Sequence, residues 1–95
     1  QLAMLEKVKT ALRIKTTALD SEITDLIQAA LKDLEIAGVS NKNHDDPLIG
    51  RAVITYCAVY LGPGAQMERM KAAYDEQKAQ MQMATGYGLP EEEGL

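Results

Sequence analysis

The stretch Leu48–Leu61, LIGRAVITYCAVYL, constrains this chain more than any other, because it is apolar on almost every side and interrupted only by Arg51 and Thr55. Four residues apart, those two stack on successive turns of a helix and leave one narrow polar stripe on a rod that must otherwise be covered. A helix of this kind needs neighbours on several sides. It is also too short and too charged to cross a bilayer, which takes about 20 apolar residues. The β-branched Val53, Ile54 and Thr55 make a strand the rival, but the length and the flanks favour a helix. Asp46 supplies an N-cap, Pro47 suits the first helical position, and Gly62-Pro63-Gly64 is a stop. The stretch specifies how the chain folds and carries no function.

A core helix must be covered by whatever the other residues can build. Ninety-five residues make one small domain, which buries only about 60 to 65% of its unfolded surface and gains from association with copies of itself. Tyrosine is the only aromatic type present, four times over, so the core is assembled from Leu, Ile, Val, Ala and Met, the vocabulary of helix packing. The net charge of −4, without a run of basic residues, argues against a protein that grips nucleic acid by neutralising phosphates. One cysteine excludes an internal disulfide. Met4 reads as a natural start, and nothing near it resembles a signal peptide, so an intracellular origin is the expectation.

Along the chain, Leu5, Val8 and Leu12 fall at helical spacing and predict a short first helix over Leu2–Leu12. Asp20 is expected to cap a second helix, with Glu22 in its first turn. Ile23, Leu26, Ile27, Ala30, Leu31, Leu34 and Ala37 give that helix one apolar face, and Gly38 ends it. Its other face, with Asp25, Gln28, Lys32, Asp33 and Glu35, reads as solvated. A polar loop, Val39–Asp45, lets the central helix return antiparallel to the second. After the Gly-Pro-Gly break a fourth helix is expected from about Ala65 to Ala84. Its seam is Met67, Met70, Tyr74, Gln77, Met81 and Ala84, and Lys71 is placed to pair with Glu68 and Asp75.

The expected architecture is therefore all-α: a compact four-helix domain over residues 1–85 and a flexible C-terminal tail over 86–95, with about two thirds of the chain helical. Leu5, Val8, Ile23, Ile27, Leu31, Leu34, Val53, Ile54, Cys57 and Leu61 are expected in the core.

Few residues invite a chemical role. His44 beside Asp45 and Asp46 has metal-ligand chemistry, but it is the only histidine and Asp46 is better used as a cap. Cys57 sits among apolar residues, where a thiol stays protonated and behaves as a small hydrophobe. The carboxylates lie on polar faces, without the apolar pocket that raises a pKa for acid catalysis. Gly62-Pro63-Gly64 follows a helix and lacks the lysine of a phosphate loop. No enzyme site, cofactor or metal is expected. The methionines of the fourth helix read as core filler first and as an adaptable binding surface second. Tyr87, between two glycines just past a helix, has no periodicity to explain it and is a candidate docking residue.

Three segments taken together, MLEKVKTALRIKTTALDSEITDLIQAALKDLEIAGV, DDPLIGRAVITYCAVYLG and ERMKAAYDEQKAQMQMATGYG, resemble the small head-tail connector proteins of tailed bacteriophages and prophages. The most specific piece is Met81–Gly88, MQMATGYG. The resemblance implies a protein without enzymatic activity that forms a ring of about a dozen copies beneath the portal of a filled capsid. It implies as partners the portal protein, a tail-side stopper or tail-completion protein, and DNA that passes through the channel without specific binding. Membranes are not among them. The implied location is the virion, at the head-tail interface, after assembly in the cytoplasm of the bacterial host. Met81, Tyr87 and Leu89 are then the candidate protein-binding residues. The alternative, from another class, is a small helical DNA-binding regulator or packaging-recognition domain. A helix-turn-helix needs a tight turn and a basic recognition helix, and here about eight residues separate the second and third helices.

Overall fold

The computed structural model describes residues 2–39 and 46–83. Four helices and one 3-10 turn account for 83% of them, and no strand occurs among the described residues. Helix α1 runs over Leu2–Leu12, α2 over Asp20–Ile36, α3 over Pro47–Leu61 and α4 over Met67–Met83, with the 3-10 turn Gly64–Gln66 just ahead of α4. The all-α four-helix expectation holds. His44 and the tail, including Tyr87 and Leu89, lie outside the described residues.

The ends of the helices follow from local chemistry. The Asp46 carboxylate accepts hydrogen bonds from the Leu48 and Ile49 N–H groups at 2.9 and 3.4 Å, and Pro47 occupies the first turn of α3, where no N–H is needed. At the other end only glycine fits position 62, since a Cβ there would lie 2.6 Å from the Ala58 carbonyl oxygen. Helix α2 stops where expected: Gly38 has φ +97°, and the Val39 N–H reaches back to the Leu34 carbonyl at 2.9 Å, a Schellman closure that puts Val39 into the core. Helix α1 closes in the same way, with Ile14 N–H on the Lys9 carbonyl at 2.9 Å, but there the left-handed position is held by Arg13, at φ 60°.

The start of α2 corrects an expectation. Leu19, not Asp20, is the N-cap, and no side chain caps it. Asp20 is the first helical residue, and its carboxylate takes the Lys9 ammonium at 2.7 Å. Lys9 is buried, and a buried ammonium needs an anion more than a helix end needs a cap. Two smaller corrections concern α4. It starts at Met67, because the 3-10 turn uses up Gly64–Gln66, and no ion pair joins Lys71 to Glu68 or Asp75 among the described residues.

Helix α3 packs against α1, α2 and α4, as its two-sided apolar surface requires. Leu48 and Arg51 lie by Gln77, Gln80 and Met81, and Tyr56 lies by Tyr74, so α3 and α4 are antiparallel. Asp33 meets Tyr74 and Lys78, while the Ala37 carbonyl meets Gln82. Helices α2 and α4 therefore run the same way, and α3 returns antiparallel to α2. Val8, Ile23, Ile27, Ile49, Val53, Cys57 and Met81 are almost entirely shielded from solvent. Leu31, Ile54 and Leu61 are only partly buried, packed against the edge of this core.

Candidate interaction surfaces

A polar cluster sits where α2 meets α4. The Asp33 carboxylate, expected on a solvated face, accepts a hydrogen bond from Tyr74 Oη at 2.5 Å and another from Lys78 Nζ at 3.0 Å. Lys78 Nζ also lies 5.1 Å from the centre of the Tyr74 ring. Tyr56 meets Tyr74 edge-on at 5.2 Å and Tyr60 at a tilted 5.2 Å. Burial alone would raise the Asp33 pKa, but the hydrogen bonds from Tyr74 and Lys78 and the ammonium charge bring it below its ordinary value. Burial, and then the neighbouring Asp33, push the Tyr74 phenol far up. Burial first and Tyr60 next raise Tyr56 as well. A carboxylate held ionised and a phenol held neutral form a structural clamp and offer no proton near neutral pH.

Sequence periodicity put Tyr74 on the seam of α4 but gave no sign of its partner, which lies 41 positions away. The only signal was a tyrosine in a seam of methionines: a buried phenol has to find an acceptor.

A second feature is a hollow of about 160 Å³ between α3 and α4, lined by Leu48, Arg51, Gln77, Gln80 and Met81. Gln77 Oε1 is buried and has no hydrogen-bond partner, a situation that costs about 1 to 3 kcal/mol. Met81 is 1% exposed, so its side chain belongs to the core and meets the outside only as the floor of this hollow. A third feature is electrostatic. Lys9, Arg13 and Lys15 line one hollow together with Glu6 at the end of α1, and the Lys9 ammonium there is already paired with Asp20.

The exposed large apolar residues lie at the two ends of the bundle. Ile36 (77%), Leu48 (48%) and Met83 (86%) share the end where α2 and α4 finish and α3 starts; Tyr60 and Met67 share the opposite one. The methionines of α4 thus divide, with Met81 in the core and Met67 and Met83 outside it.

Among the described residues no group of His, Cys, Asp and Glu could hold a metal ion. Cys57 is buried, and burial raises its thiol to about 11. Among the described residues no helix is long and apolar enough to cross a membrane. What these residues define is a small helical domain, whose polar cluster joins α2 to α4 and whose exposed large apolar residues lie at both ends.

The chain matches the phage connector protein family over residues 4–88 and belongs to it. It is accordingly a structural connector component of a bacteriophage. No curated protein and no solved structure matches it.

Proposed function

We propose that this connector protein assembles as a ring of about a dozen copies beneath the portal of a filled head, extends the DNA channel and joins the head to the tail. The observation that carries this reading is the family match over residues 4–88. Two physical features support it. A two-sided adaptor needs a partner-facing surface at each end, and the exposed apolar residues are divided between the two ends of the bundle. A chain of net charge −4 also lets DNA slide past without gripping it. The partners in this reading are further copies of the chain, the portal protein and a tail-side stopper or completion protein. The location is the virion, with assembly in the host cytoplasm.

Tyr87 and Leu89, past the end of α4, are the proposed portal-side anchors. Each arm contributes weakly, but arms held in one ring act as a multivalent attachment. Deleting residues from Gly86 onward should leave helicity and thermal stability nearly unchanged while abolishing attachment to filled heads. If truncated protein restores DNA retention and tail joining to connector-deficient heads as well as the full chain does, docking uses a helical end instead.

The DNA-binding regulator makes the opposite prediction in a simple assay. The connector reading expects no measurable duplex binding at physiological salt, whereas sub-micromolar, salt-sensitive binding would favour the regulator.

A further inference from the structure

Arg13 closes α1 in the left-handed region, at φ 60°, where a glycine would sit without strain. Its guanidinium has no hydrogen-bond or ion-pair partner among the described residues, so no contact there offsets the strain. A strained residue kept at the surface points to something outside the subunit. Arg13 lines an open hollow with Thr10, Ile14 and Lys15. Lys9 is committed to Asp20, which leaves Arg13 and Lys15 facing the carboxylate of Glu6. The opposite balance of charge lies on α4. A second hollow there is lined by Met67, Glu68, Lys71, Ala72 and Asp75, and Glu68 and Asp75 have no ion-pair partner among the described residues. Each hollow sets one apolar residue, Ile14 or Met67, beside a charged rim, the composition of an interface core and its edge.

The two hollows face apart. Asp20 holds α1 through Lys9, and Asp33 holds α4 through Tyr74 and Lys78. These aspartates are 13 positions apart on α2, so at 3.6 residues per turn they point about 140° away from each other. One copy cannot bring its own hollows together, whereas two copies can. We infer that the α1 hollow of one copy docks on the α4 hollow of the next, with Arg13 and Lys15 meeting Glu68 and Asp75 and Ile14 lying against Met67. The contact is heterologous, so every copy keeps one hollow of each kind for a further neighbour, and repetition closes into a ring where the rotation permits. The inference rests on the ring reading and adds to it the two faces that join neighbours. Exposed charge pairs are screened by salt, so this contact sets direction and register more than strength.

Cysteine cross-linking of the full-length chain tests this without portal or capsid. Thr10→Cys and Ala72→Cys each put a thiol into one hollow at an exposed, uncharged position, and the native Cys57 is buried and takes no part. Gln28→Cys, exposed on α2 and outside both hollows, is the control. Mixed at low salt under mild oxidation, the Thr10 and Ala72 variants should link to each other about tenfold faster than either links to itself or to the control. In about 1 M salt, where charges are screened within about 3 Å, most of that excess should vanish. Arg13→Glu with Lys15→Glu in the Thr10→Cys chain should abolish it at low salt, and Glu68→Lys with Asp75→Lys in the Ala72→Cys chain should then restore it. Equal rates for all pairings, or exchanged charges that restore nothing, would overturn the inference. Rings beneath the portal without the Thr10–Ala72 link would remove this interface and leave the ring reading standing. An open ladder of linked copies that makes no ring on connector-deficient heads would do the reverse.

Discussion

Replacing Tyr74 by phenylalanine isolates the clamp between α2 and α4. The ring and its edge-on contact with Tyr56 stay; what goes is the hydroxyl that donates to Asp33 at 2.5 Å. A hydrogen bond to a charged acceptor is worth about 1.5 to 3 kcal/mol when buried. The Asp33 side chain is 37% exposed, so water replaces part of the lost donor, and the expected cost is about 1 to 2 kcal/mol. With a urea slope of about 1 kcal/mol/M for a domain this small, the unfolding midpoint at pH 7 should fall by about 1 to 2 M at unchanged slope.

The pH dependence gives the same clamp a signature at both ends. The Asp33 pKa is lowered in the folded state, so its contribution is present above the ordinary value of about 3.9 and is lost as pH falls through the folded value. The Tyr74 pKa is raised, so its contribution is present below about pH 10 and is lost as pH rises above that. Wild type and Tyr74→Phe should therefore differ by a constant amount between about pH 5 and 9, and converge in acid and in strong alkali. A difference below about 0.5 kcal/mol at pH 7, or one that persists unchanged to pH 2, would refute the clamp.

Three further outcomes are expected. Ile27→Ala, at a side chain with 0% exposure in the centre of α2, should cost about 2 to 5 kcal/mol in urea unfolding; a loss near zero would mean that this face is not the core. Arg13→Gly should raise stability by about 1 kcal/mol, because φ 60° at the α1 Schellman position strains any residue with a Cβ, and an unchanged or lower midpoint would contradict that. Cys57 should resist a thiol reagent at pH 8 in the folded chain and react promptly in urea, since burial both shields it and raises its pKa to about 11.

The helices were legible because each was set by neighbours in sequence. Asp46-Pro47 and Gly62 bound α3, Gly38 ended α2, and the spacing of Ile23, Ile27, Ala30 and Leu34 marked a face that the fold buries. What was not legible depended on partners far along the chain. Asp20 carries the residue type of a cap, yet its nearest demand is the buried ammonium of Lys9. Asp33 lies in a polar stripe of α2, and only the antiparallel return of α3 and the approach of α4 bring Tyr74 and Lys78 onto it. The hollow beside Gln77 follows the same rule: its lining comes from two helices whose register no single segment specifies.

The central claim is that this chain completes filled heads. Its most direct test is to add the purified full-length chain to purified connector-deficient heads, then measure retained DNA, tail joining and density beneath the portal by electron microscopy. The account predicts a ring of repeated copies at the portal vertex, with DNA retained and tails attached. Heads that stay empty and bare at that vertex in the presence of folded, full-length chain would contradict it.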